Sequence, residues 1–112
     1  MGRDVIADIG ARISELRKAS GMSQAKFADV VGLSAEFVSR LERGLKSPSI
    51  LTLARIADGL GLELKKLFDI DAPPPTRKQV LAQGVARKLE DAPVDLALKI
   101  AAVVDVLIGK KK

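Results

Sequence analysis

The sequence predicts an all-α chain in which five short helices are followed by a C-terminal two-helix tail. Three observations predict it. Apolar residues recur at three- and four-residue intervals in short segments, the spacing of one helix face. No segment alternates apolar and polar residues with period two, so strands are not expected. Ser, Asp, Gly and Pro stand between the apolar segments, where helices start and stop.

Asp4 can cap a first helix that carries Val5, Ile9, Ile13 and Leu16 on one face, with Gly21 as its stop. Ser23 caps a second, which turns Phe27, Ala28 and Val31 inward. Gly32-Leu33-Ser34 breaks it, and Ser34 caps a third with Val38 and Leu41 inward and Gly44 at its end. Ser47-Pro48-Ser49 opens a fourth with Leu53, Ile56, Ala57 and Leu60 as its buried face, punctuated at the end by Gly59 and Gly61. Residues 63–68 make a short fifth helix that buries Leu64, Leu67 and Phe68.

Ala72-Pro73-Pro74-Pro75 is the strongest internal boundary. Three prolines lack amide donors and favour an extended, stiff chain. The chain thus divides into a domain at 1–71, a Pro-rich linker at 72–76 and a two-helix tail at 77–112 with a basic end. Within the tail, residues 77–91 place Leu81, Val85 and Leu89 four apart. Pro93 suits the first turn of a last helix that runs to about Ile108.

That last helix is apolar almost all round: only Asp95, Lys99 and Asp105 are polar between positions 94 and 108. Such a helix must be buried, and the short helix before it cannot wrap every side. The simplest cover is a second copy of the chain in a C2 dimer, with Leu81, Val85, Leu89, Leu96, Ile100, Val103, Val104 and Leu107 at the interface. Packing onto residues 1–71 is the plainer alternative. A membrane surface fits poorly, because the polar stripe is narrow and carries no rich basic face. Lys110, Lys111 and Lys112 read as a solvated end.

Composition narrows the function classes. The 112 residues are 47% apolar and 29% charged, the balance of a folded protein rather than a disordered one. There is no Cys and no His. Disulfides and thiolate metal sites are therefore excluded, and the commonest general base and metal ligand are missing. No Gly-rich phosphate loop or nucleophile with its base is present, so neither an enzyme nor a cofactor nor a metal is expected. No apolar run reaches the ~18 residues of a membrane span, and a cytoplasmic binding protein is the expectation.

The formal charge of +5 points to a polyanion partner, but its distribution matters more. Residues 1–71 hold 11 basic and 10 acidic groups, and residues 72–112 hold 8 and 4. The case for nucleic acid must rest on where the charges sit.

Segments 23–31 and 34–43, joined by a short turn containing Gly32, have the layout of a helix-turn-helix. Ala28 is small enough for close helix crossing, Gly32 can take the positive φ of a tight turn, and Val38 and Leu41 face inward three apart. Counted from Gln24, these are positions 5, 9, 15 and 18 of a twenty-residue unit.

With SQAKFA at 23–28, GLS at 32–34, VSRLERG at 38–44, PS at 48–49, LARIADGLGL at 53–62 and LKKLF at 64–68, residues 9–68 resemble the five-helix DNA-binding domain of the Cro and phage-repressor family. This is also known as the xenobiotic-response-element family. The resemblance implies that residues 34–43 are a recognition helix lying in the major groove. Ala35, Glu36, Phe37, Ser39 and Arg40 are then the base-contacting candidates. Arg40 can donate twice to guanine, Glu36 can accept from cytosine, and Ala35 or Phe37 can touch a thymine methyl. Glu36 and Arg40 can also pair with each other across one turn.

The resemblance further implies that Gln24, at the start of the second helix, holds a phosphate. Ser34, Arg43, Lys46 and Ser47 are the other phosphate candidates. It also implies a structural ion pair between Arg17 and Glu42 beneath the recognition helix. Glu63 departs from the family pattern, standing where a capping Ser or Asp is frequent. The near-neutral charge of 1–71 also departs from it, and makes a dimer more necessary for tight binding. The expected function is a dimeric repressor that reads a palindromic operator in double-stranded DNA. The alternative is an antitoxin-like module whose C-terminal helices mask a protein partner.

Overall fold

The structure, a computed structural model, describes residues 3–109; the Lys110–112 end lies outside the described residues. Every described regular element is helical. In chain order they are α1 (Val5–Ala19), α2 (Gln24–Val31), α3 (Ala35–Glu42), α4 (Ile50–Leu60), a 3-10 helix (Leu64–Phe68), α5 (Arg77–Asp91) and α6 (Val94–Ile108).

The first four helices start where a short polar side chain can accept from a free amide. Asp4 takes the amide of Ala7, Ser23 that of Lys26, Ser34 that of Phe37 and Ser49 that of Thr52. α1 packs on α3, α2 packs on α3 and α4, and the 3-10 helix closes the bundle against α1 and α4. Ile13, Phe27, Val38, Leu41, Ile56 and Leu67 form the fully enclosed centre.

Two glycines set how closely α1, α2 and α3 approach one another. Gly32 ends α2 with φ +75° and ψ +36°, the left-handed conformation that costs least in glycine. Gly10 lies inside α1 where the backbone of α3 comes closest, and a Cβ there would collide with the carbonyl oxygen of Leu41. The spacing of apolar residues gave no sign of Gly10.

The segment at 63–68 departs from expectation. It is a 3-10 helix without a side-chain cap at Glu63. With three residues per turn, Leu64 and Leu67 share a face and Phe68 falls on the next one. Leu67 is therefore enclosed and Leu64 half-buried, while Phe68 remains 43% exposed rather than buried. At the end of α4, Gly59 lies inside the helix against Val31, and Gly61 alone terminates it.

The Pro-rich segment does not set α5 free. Thr76 and Gln79 close a capping box at its start, and α5 then packs on α1. Val80 enters the core, and the Arg87 guanidinium donates to the carbonyl of Leu62 and, at 2.7 Å, to Asp58 Oδ1. The inward residue of α5 is thus Val80, whereas Leu81 and Val85 face out and Leu89 is half-buried.

α6 does the opposite. Ala92 and Pro93 are both extended, with ψ 148° and 151°, and Pro93 stands one residue before the helix rather than in its first turn. α6 buries none of its residues. The plainer expectation, that it packs onto residues 1–71, therefore does not hold. The radius of gyration is 16.2 Å, against about 13 Å for a compact chain of this length.

Candidate nucleic-acid interface

α3 has two unlike faces, and its anchoring is complete. Val38 and Leu41 are enclosed beneath it, Phe37 is half-buried against the core, and Ser34 caps its start. Beneath its C-terminal turn, Arg17 Nε donates to Glu42 Oε2 at 2.7 Å and Arg17 Nη2 donates to Glu42 Oε1 at 3.0 Å. The two side chains are only 9% and 5% exposed, so the ion pair ties α1 to α3 from below. Arg17 Nη1 also donates to the carbonyl of Met22, and Gln24 Nε2 donates to Glu42 Oε1 at 3.0 Å. One carboxylate thus joins α1, α2 and α3.

Burial alone would push the Glu42 carboxyl up. The hydrogen bonds from Arg17 and Gln24, together with the Arg17 charge, outweigh it and hold the carboxyl below its ordinary value of 4.5.

The opposite face of α3 is open. Ala35, Glu36 and Arg40 are exposed, and Ser39 is half-buried. Arg40 Nη2 donates to Glu36 Oε2 at 3.1 Å, with the two side chains 54% and 76% exposed. A pair this open is weak, worth about 0.3–0.5 kcal/mol. It holds the guanidinium at the surface without committing it. Ser34, Glu36, Phe37, Arg40 and Lys46 line one shallow concavity.

Around this face, Arg43, Lys46 and Ser47 lie exposed past the end of α3, and Arg43 Nε donates back to the carbonyl of Ser39 at 3.3 Å. Gln24 stands at the first position of α2, half-buried, with its side-chain amide donating to Glu42. Arg55 was not foreseen here. It reaches from α4 and donates to the Gly32 carbonyl at 3.1 Å, bracing the turn between α2 and α3. Nothing in its local spacing marks it, because the two groups are brought together only by the packing of α2 on α4.

The geometry is that of a helix held rigidly from below, with a polar, partly cationic face turned outward. Among the described residues no group of His, Cys, Asp and Glu is placed to hold a metal ion, and no helix is long and apolar enough to cross a membrane.

The helix-turn-helix family pattern matches residues 13–67. The HTH-type transcriptional regulator PuuR of Escherichia coli is 33% identical over 89 residues, which cover 71% of this chain and 48% of that protein. The chain therefore matches about half the length of this relative. Control protein C.MunI of a Mycoplasma species is 33% identical over 66 residues, 58% of this chain and 89% of that one. Among solved structures, the restriction-modification controller protein C.AhdI of Aeromonas hydrophila superposes with a TM-score of 0.55 at 35% identity, over 56% of this chain and 91% of its own.

Proposed function

The chain belongs to the helix-turn-helix family, in its Cro and phage-repressor branch, and on that premise we propose that it is a transcriptional repressor that binds a palindromic operator as a two-fold dimer. One observation carries the reading: α3 is locked from beneath by Val38, Leu41 and the Arg17–Glu42 pair while Arg40 and Glu36 stand exposed on its outer face, held only by their weak mutual pair. Rigid support below and uncommitted hydrogen-bonding groups above are what base readout in a major groove requires.

In this reading Arg40 reads guanine, and Glu36 releases it to accept from cytosine. Ala35, Phe37 and Ser39 complete the base-facing surface. Gln24, Ser34, Arg43, Lys46 and Ser47 hold the phosphates on either side and set the register without reading sequence. The free amides at the start of α2 favour the phosphate beside Gln24. Leu81, Val85 and Leu89 of α5 and Leu96, Ile100, Val103, Val104 and Leu107 of α6 make the dimer, which places two copies of α3 on successive turns of one DNA face.

The bare α6 also favours a second reading, in which the C-terminal helices mask a different protein. The test that separates them is selection of bound sequences from a random DNA pool by the purified chain. Enrichment of a palindrome with half-sites about 10 base pairs apart supports the two-fold reader. Enrichment of nothing overturns it.

A further inference from the structure

α5 and α6 present two apolar surfaces that the single chain leaves apart. On α5, the side turned away from Val80 presents an open apolar face of Leu81, Ala82, Val85 and Leu89, edged by Arg77 and Lys78. On α6, Leu96, Ile100, Val103 and Leu107 follow one another at spacings of four, three and four, the seam of a helix that packs along another helix. The extended backbone at Ala92 and Pro93 sends α6 away, so a chain does not cover its own α5 face.

We propose that α6 of one copy lies along the apolar α5 face of a second copy, so that the dimer is held by reciprocal exchange of the last helix. This rests on the two-fold reading above and names the contact that makes it.

Three observations support a second copy as the occupant. The first is area. The chain exposes 7512 Å², whereas a compact monomer of its mass exposes about 5,900 Å². The excess of about 1,600 Å² is more than the ~800 Å² that each partner of a stable complex covers. The second is charge. α5 carries four basic and two acidic residues, and α6 carries Lys99 against Asp95 and Asp105. Pairing α6 with a partner's α5 sets a net negative helix on a net positive one, whereas pairing α6 with α6 sets like on like. The third is reciprocity. A two-fold axis lets both α5 faces and both last helices be used at once, with no unmatched surface left to propagate a chain.

Because the sequence has no cysteine, disulfide trapping is clean. Val85→Cys and Val103→Cys alter outward-facing side chains, 51% and 56% exposed. The two single variants are mixed and oxidised, and the double variant is oxidised alone. The expected result is a covalent dimer joined between positions 85 and 103 of different chains, from a protein that sediments as a dimer. Three results would overturn the exchange: a monomer at micromolar concentration, a double variant that closes within one chain, or linkage only between two copies of position 103. In the third case the two-fold reading survives and the exchange alone fails. A palindrome enriched from the DNA pool likewise upholds the reading whatever the linkage. As a control, Ile100→Asp should weaken self-association about a hundredfold, and melting should then lose its dependence on protein concentration.

Discussion

Arg17 and Glu42 meet through two parallel hydrogen bonds, 2.7 and 3.0 Å long, beneath the last turn of α3. The arginine enters from α1 and the glutamate from the helix that carries the outward polar face. The angle of that face to the rest of the domain therefore depends on a pair that the face itself does not include.

Arg17→Ala should lower stability by about 3 kcal/mol, because Glu42 would remain enclosed without its cationic partner. Thermal melting of the variant against the parent checks this. An unchanged midpoint would show that the pair does not hold α3.

The same pair sets a pH dependence. The Glu42 carboxyl is held below its ordinary value of 4.5, so the folded state favours its ionised form. Its contribution is complete above pH 4.5 and is lost as pH falls through the lower folded value. Denaturant melts from pH 6 downward should therefore show a loss of stability on acidification. In Glu42→Gln that portion of the slope should be absent.

Gly10→Ala separates packing from propensity. Alanine favours a helix over glycine by about 1 kcal/mol. The added methyl would nonetheless strike the Leu41 carbonyl and push α1 from α3. The variant should melt lower than the parent, and a higher midpoint would show that the two helices can separate without loss.

Two truncations distinguish α5 from α6. Ending the chain at Ala92 removes a helix that has no fully buried residue in its own chain, so self-association should be lost and melting should become independent of protein concentration. Ending it at Asp71 also removes Val80 and the Arg87 contacts to α4, and burial of Val80 alone is worth about 2 kcal/mol. The shorter form should be both monomeric and less stable. Sedimentation and melting of the two forms provide the readouts.

Reading and holding should separate on the DNA face. Arg40→Ala should cost about 1–3 kcal/mol and relax preference at one base pair per half-site. Lys46→Ala should weaken all sequences alike and flatten the salt slope by about one unit per site. Salt titrations on cognate and scrambled duplexes measure both. Equal losses on the two duplexes for Arg40→Ala would make it a phosphate contact and overturn the orientation given to α3.

The sequence by itself determined the helices and the motif, because both are written in local terms. Asp4, Ser23, Ser34 and Ser49 cap the helices they precede, and Gly32 takes the turn between α2 and α3. Val38 and Leu41 face inward by simple periodicity, which leaves Glu36 and Arg40 outward. Only the tertiary structure decided what meets across long separations. Gly10 against Leu41, Arg55 at the Gly32 carbonyl and Arg87 at Asp58 join residues that no periodicity relates. The same holds where two local rules compete. Leu81, Val85 and Leu89 made the plainest apolar row on α5, yet the helix turns Val80 inward, because Arg87 on that side finds Asp58 and the Leu62 carbonyl at the end of α4. At 64–68 the choice of a three-residue turn put Phe68 outside, since a 3-10 helix repeats its face every three residues and an α-helix does not.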